Sequence, residues 1–146
     1  GFMSKLEDMF VKNKSGKSIL SVPKGAGVLS PAIVVNAKED FIAAVSSIGR
    51  FLVMNIAEFP LLAKGKGLKI MQIPPAKLKT REEYVSAITT FSEGESLLLS
   101  SGKRQITLKP DIIDNYYGER GRRGNMLPRG FRQVTTMTPV RKKIEE

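Results

Sequence analysis

Cysteine and histidine are both absent from this chain. Without cysteine there are no disulfides and no thiolate chemistry, which fits a reducing cytoplasm. Without histidine, the usual general base near neutral pH and a common zinc ligand are missing. No run approaches the ~20 consecutive apolar residues that a membrane-spanning helix needs. The N-terminal residues lack the basic, apolar and small-residue order of a signal peptide. Aromatics are few, seven Phe and three Tyr, and they sit mostly in strand-like apolar runs. That is a poor supply of base-stacking platforms for an RNA reader. Sustained helical periodicity is missing as well.

What remains is apolar enough to fold and strongly basic. The 146 residues are 41% hydrophobic, with a mean hydropathy of −0.14, which suits one folded domain or a few repeats. Twenty-four Lys and Arg against fourteen Asp and Glu give a net charge of +10. Such a surplus favours polyanions. The charge is also clustered. From Leu62 to Arg81 there are six basic residues and no acid, and Lys12, Lys14, Lys17 and Lys24 form a similar acid-free stretch. Gly118 to Arg132 carries five arginines against Glu119 alone.

Short runs rich in β-branched residues, bounded by Gly, Pro, Asn or charged turns, predict strands. They fall at Ser18–Val22, Ala32–Val35, Phe41–Ser47, Arg50–Asn55, Lys69–Ile73, Ala87–Phe91, Ser96–Ser100 and Arg104–Lys109. Single helical turns are expected after Ser4, at Pro110-Asp111 and within Thr80–Tyr84. A repeat organises these strands. Gly16–Pro23 aligns with Gly67–Pro74 at a shift of 51, and Ser47–Arg50 aligns with Ser100–Lys103 at a shift of 53. Arg120–Gly124 supplies a third basic Gly turn. A repeat of about 50 residues built from strands matches propeller-like blades better than solenoid coils, which are shorter. The expectation is an all-β fold, with two complete blades and one partial blade over residues 1–137 and a flexible, solvated tail over 138–146. Ile19, Val22, Ile70, Ile73, Leu98 and Ile106 should face between blades.

At these residues the sequence resembles a known family. Gly102-Lys103-Arg104-Gln105-Ile106-Thr107-Leu108-Lys109-Pro110 looks like the last-blade region of the bacterial type IIA topoisomerase A subunits. Gly118–Phe131 is similar to their characteristic C-terminal segment in topoisomerase IV, and Leu6–Asp8, Asn13–Lys17 and Lys64–Ile70 resemble the preceding blades. Gyrase A shares the blade but carries a Gln-, Arg- and Gly-rich box, of which no clean copy occurs here, and this points to topoisomerase IV. The resemblance implies a β-pinwheel, a partial ring of blades that exchange strands, with duplex DNA running around a basic rim. It implies a noncatalytic, cytoplasmic and nucleoid-associated part of an ATP-dependent enzyme. The partners so implied are duplex DNA, the ATPase-bearing B subunit in an A₂B₂ assembly, and the remainder of the A subunit, with no membrane span. ATP and Mg²⁺ would bind elsewhere in that assembly, leaving no cofactor in this segment.

The basic turns have a physical rationale for phosphate. Glycine permits close backbone approach, and Lys or Arg beside it meets phosphate oxygens, Arg with a planar fork. Lys66, Lys69, Arg120, Arg122 and Arg123 are the leading candidates, then Lys12, Lys14 and Lys17, then Lys64, Arg129 and Arg132. Gly65-Lys66-Gly67 and Gly121–Gly124 lack the Gly-x-x-x-x-Gly-Lys-Ser/Thr pattern, so a nucleotide loop is not expected. The adjacent acids Glu7-Asp8, Glu39-Asp40 and Glu82-Glu83 read as solvated turn charge and not as a metal site. Tyr116 and Tyr117 follow Ile112-Ile113 in a turn, without the basic winged-helix setting of a cleavage tyrosine, so packing or stacking is their expected role and no catalytic residue is assigned. Competing functions are a gyrase-type wrapping domain and a basic propeller-like module that binds an acidic protein or RNA.

Overall fold

A computed structural model describes residues 3, 29, 32, 34, 38–61, 69–128, 130–131 and 133–140. The fold is all-β. Strand β1, Phe41–Ser46, turns back into β2, Arg50–Asn55, and the two pair antiparallel from Phe41↔Asn55 to Val45↔Phe51. The turn closes on Gly49, with φ of 94°, and on Ser46, whose Oγ accepts from Arg50 N at 3.1 Å. A 3₁₀ turn, Ile56–Glu58, ends this hairpin, capped by the Asn55 side chain. After a short helix α1, Pro75–Lys79, strand β3, Val85–Phe91, returns to the free side of β1.

The same plan follows. Strands β4, Ser96–Ser101, and β5, Arg104–Leu108, form a hairpin around Gly102, with φ of 61°. Helix α2, Pro110–Ile113, begins with proline in its first turn, where a missing N–H costs nothing, and a 3₁₀ turn, Asp114–Tyr116, extends it. The chain then leaves its own unit. Strand β6, Asn125–Met126, pairs with β2 (Arg50↔Met126, Phe51↔Asn125), and only afterwards does β7, Thr136–Val140, return to β4. The sheets therefore read β3-β1-β2-β6 and β5-β4-β7. The second unit donates a strand to the first, which is the exchange of a β-pinwheel.

Burial explains why the first sheet holds the centre. Residues 42 to 46 of β1 and 51 to 54 of β2 are all buried, so both faces are covered. One face, with Val45, Phe51 and Val53, packs against Leu97, Leu99, Leu108, Ile113 and Leu127 of the second unit. The other, with Ala44, Leu52 and Met54, packs against Ile56, Phe59 and Met71.

Several expectations need correction. Lys69–Ile73 is not a strand; it is irregular and bonded to the loop before β6. The helical turn expected within Thr80–Tyr84 lies earlier, at Pro75–Lys79, because Pro75 starts it, and Arg81 follows in the left-handed region at φ 62°. Leu98 is only half-buried while Leu97 and Leu99 are fully buried. The tail expected from Thr138 does not begin there, since Thr138, Pro139 and Val140 complete β7. Residues 141–146, the expected turn after Ser4, the strand Ser18–Val22 and half of Ala32–Val35 lie outside the described residues. Among the described residues no helix is long and apolar enough to cross a membrane.

Candidate nucleic-acid interface

The basic loop Gly118–Gly124 is anchored at both ends to β2. Tyr116 meets the Phe51 ring edge-on at 5.0 Å between centroids, and Gly118 N donates to Val53 O at 2.9 Å. Tyr116 thus takes the packing role expected of it. At the far end Arg50 Nη1 donates to Gly124 O at 3.1 Å, and Leu127 N donates to Gly49 O. Gly124 has φ of 76°, and a Cβ there would stand 2.7 Å from Phe51 O. The close approach that glycine permits is used here toward the protein's own strand.

Between these anchors the loop is joined to Lys69–Gln72. Gly121 N donates to Ile70 O at 2.8 Å, and Gln72 N donates to Arg122 O at 2.9 Å. Arg120 Nη1 reaches Lys69 O at 2.9 Å, and Arg123 Nη1 reaches Gln72 O at 3.1 Å, each across a separation of 51 residues. The basic loop and the segment Lys69–Gln72 therefore form one surface.

The cations of this surface differ in what holds them. Arg123 turns inward and grips Glu83 with both guanidinium nitrogens: Nη2 donates to Oε2 at 2.8 Å, and Nη1 contacts Oε1. Glu83 has no side-chain exposure, while Arg123 retains 29%. The hydrogen bonds from Arg123 hold the Glu83 carboxyl below its usual value against the opposing effect of burial, and the charges of Arg123, Lys77 and Arg50 add to the lowering. The Arg123 charge is thus answered inside the fold. Arg120 is half-exposed, its backbone N donating to Glu58 Oε1 at 3.3 Å. Arg122 is 69% exposed beside Glu119 at 3.1 Å, an exposed pair of little energetic consequence. Lys69 is exposed, with Nζ donating to Gln72 Oε1 at 3.1 Å. Lys12, Lys14, Lys17, Lys64, Lys66, Arg129 and Arg132 lie outside the described residues.

Glu83 is not the solvated turn charge that the pair Glu82-Glu83 suggests in sequence; only Glu82 is exposed. Arg50, which ties the hairpin to Gly124, is a second anchoring residue that the sequence does not single out. Neither carries a local signal, because each partner is far away in the chain.

Comparison with known proteins adds relatives to this geometry. No family model matches the chain. The DNA topoisomerase 4 A subunit of Pseudomonas aeruginosa is 45% identical over 137 residues, covering 94% of this chain and 18% of the relative. The Escherichia coli K12 protein of the same name is 33% identical over 92% of this chain, again 18% of its own length. The chain thus spans about a fifth of the curated relatives it matches. The solved structure of the E. coli ParC C-terminal domain superposes with a TM-score of 0.83 at 31% identity, over 96% of this chain and 56% of that one. A crystal structure of the C-terminal domain of DNA topoisomerase IV shares the fold, with a TM-score of 0.61 at 13% identity, over 94% of this chain and 42% of that one. Sequence and fold agree with the strand exchange: the chain belongs to the family of bacterial DNA topoisomerase IV A subunits, as a segment of their C-terminal domain.

Proposed function

We propose that this chain binds duplex DNA without sequence preference, as a noncatalytic part of the A subunit of a topoisomerase IV. The observation that carries the reading is the joined surface of the Gly118–Gly124 loop and the Lys69–Gln72 segment, from which Lys69 and Arg122 project, with Arg120 half-exposed beside them. Cation-bearing turns that recur along the chain are suited to meeting successive phosphates. The undescribed Lys12, Lys14, Lys17, Lys64, Lys66, Arg129 and Arg132 extend this proposed set. In this reading Arg123 acts by fixing the loop, while its neighbours meet phosphate.

The relatives are named as topoisomerases, and the reading extends accordingly. The domain would guide DNA segments for ATP-dependent strand passage, in decatenation and supercoil relaxation, within an A₂B₂ assembly at the cytoplasmic nucleoid. ATP and Mg²⁺ would be held by other parts of that assembly. A titration of duplexes of unrelated sequence tests the binding claim. Affinities should agree within a few-fold, and the log–log salt slope should reach about −0.9 per phosphate neutralised. A slope near zero, or a strong preference for one sequence, contradicts it.

A further inference from the structure

Helix α1 ends on a residue that its backbone does not favour. Arg81 N donates to Leu78 O at 3.2 Å and Glu82 N donates to Lys77 O at 2.9 Å, the Schellman closure in which the residue after the cap turns left-handed. Glycine ordinarily takes that place, because a Cβ there is crowded by its own backbone. Here Arg81 takes it, with φ of 62°, and among the described residues it is the one non-glycine residue with a positive φ. Strained residues of this kind concentrate at binding and catalytic sites.

The side chain is set in place but not neutralised. Its guanidinium carbon lies 4.7 Å from the centroid of the Tyr84 ring. Tyr84 is itself tied twice to the β1–β2 turn: Ser47 N donates to Tyr84 O at 2.7 Å, and Tyr84 N donates to Ser47 Oγ at 3.1 Å. Arg81 is exposed, and among the described residues no ion pair or side-chain hydrogen bond holds it. The buried acid two residues on, Glu83, is taken by Arg123. Arg81 also closes the run from Leu62 that holds six basic residues and no acid.

Packing alone does not account for an arginine here. An exposed cation–π contact contributes no more than the left-handed backbone costs, so the stack brings the fold no net gain over glycine. Stacking occupies the face of the guanidinium and leaves its N–H edge for an acceptor, and that planar fork fits two phosphate oxygens. A guanidinium already oriented also loses less freedom when it binds. We propose that Arg81 is a further phosphate contact for duplex DNA, held ready by the Tyr84 ring. The proposal rests on the duplex-binding reading above and adds a contact on the segment that enters β3, outside the basic loop.

The test is the salt dependence of duplex affinity for this chain with Arg81→Gly, which removes the side chain and relieves the backbone at once. The log–log slope should flatten by about 0.9 and affinity at low salt should fall about tenfold, while the melting temperature holds or rises. Lys79→Ala, at an exposed cation on α1, should leave the slope as it is. Arg81→Lys keeps a charge without the planar fork, so it should recover the slope but not the full affinity. An unchanged slope in Arg81→Gly, or equal flattening by Lys79→Ala, would overturn the proposal. So would a melting temperature several degrees lower in Arg81→Gly, which would make Arg81 a packing residue. Loss of binding to poly-glutamate with duplex affinity kept would overturn it in favour of an acidic protein. A slope near zero in the unaltered chain would instead contradict the duplex-binding reading itself.

Discussion

Arg123 and Glu83, 40 residues apart in the chain, form a two-pronged ion pair whose carboxylate is wholly shielded from solvent. The pair joins the loop before β6 to the residues entering β3, so it locks the exchanged strand's approach to the first sheet. Removing one partner strands the other. Arg123→Ala should cost about 3 kcal/mol, because a buried carboxylate loses its countercharge. Replacing both residues by apolar ones of similar volume should recover most of that loss. Denaturant melts of the single and double variants measure both quantities, and an Arg123→Ala loss below about 0.5 kcal/mol would place the pair among ordinary surface contacts.

Acid should release the same lock. The Glu83 carboxyl titrates below its usual 4.5 in the fold, held there first by the hydrogen bonds from Arg123. A depressed folded value means that the stabilisation is complete above the unfolded value and is lost as pH falls through the folded one. Stability should therefore be flat from neutrality to about pH 5 for this group and decline below about 4.5. Glu83→Gln should lower stability at neutral pH and flatten the acid decline. Thermal melts across this range check it, and an identical acid slope in both proteins would assign the decline to other carboxylates.

Two glycines of the loop should respond differently to alanine. Gly121 and Gly124 both have positive φ, but a Cβ at Gly121 meets nothing within 4 Å, whereas at Gly124 it would stand 2.7 Å from Phe51 O. Gly121→Ala should cost about 1–2 kcal/mol from backbone conformation alone. Gly124→Ala adds a clash with strand backbone that cannot swing away, so its cost should be clearly larger. Equal losses in chemical melts would mean that the loop shifts off β2 without penalty.

How much of this is legible in the sequence depends on how local each signal is. The hairpins are legible, because apolar runs and the turns at Gly49 and Gly102 lie within a dozen residues of one another. The start of α2 at Pro110 is legible for the same reason. The interior of β4 is not: Leu97-Leu98-Leu99 is uniformly apolar, so its alternation is invisible until pairing sets which faces are inward. The end of strand β7, Thr138–Val140, reads in sequence as the start of a tail, because the strand is short and contains Pro139, which an edge strand tolerates. The basic turns are legible as a cluster. The division of labour within them is not, since Arg123 finds its partner 40 residues away and Arg120 makes its contact 51 residues away.

That division of labour puts two exposed cations, each held only by surface contacts, in reach of phosphate. Lys69 and Arg122 project from the joined segments, and neither carries the packing burden of Arg123. The measurement is the salt dependence of duplex affinity for the chain with Lys69→Ala and Arg122→Ala, against a control with Lys79→Ala and Lys109→Ala, two exposed lysines outside the repeated turns. The first pair should flatten the log–log slope by up to about two units, at 0.9 per lost phosphate contact, with little change in melting temperature. The control should change it far less. Equal flattening by the two pairs would mean that bulk charge drives binding, and an unchanged slope in the first would remove these turns from the DNA path.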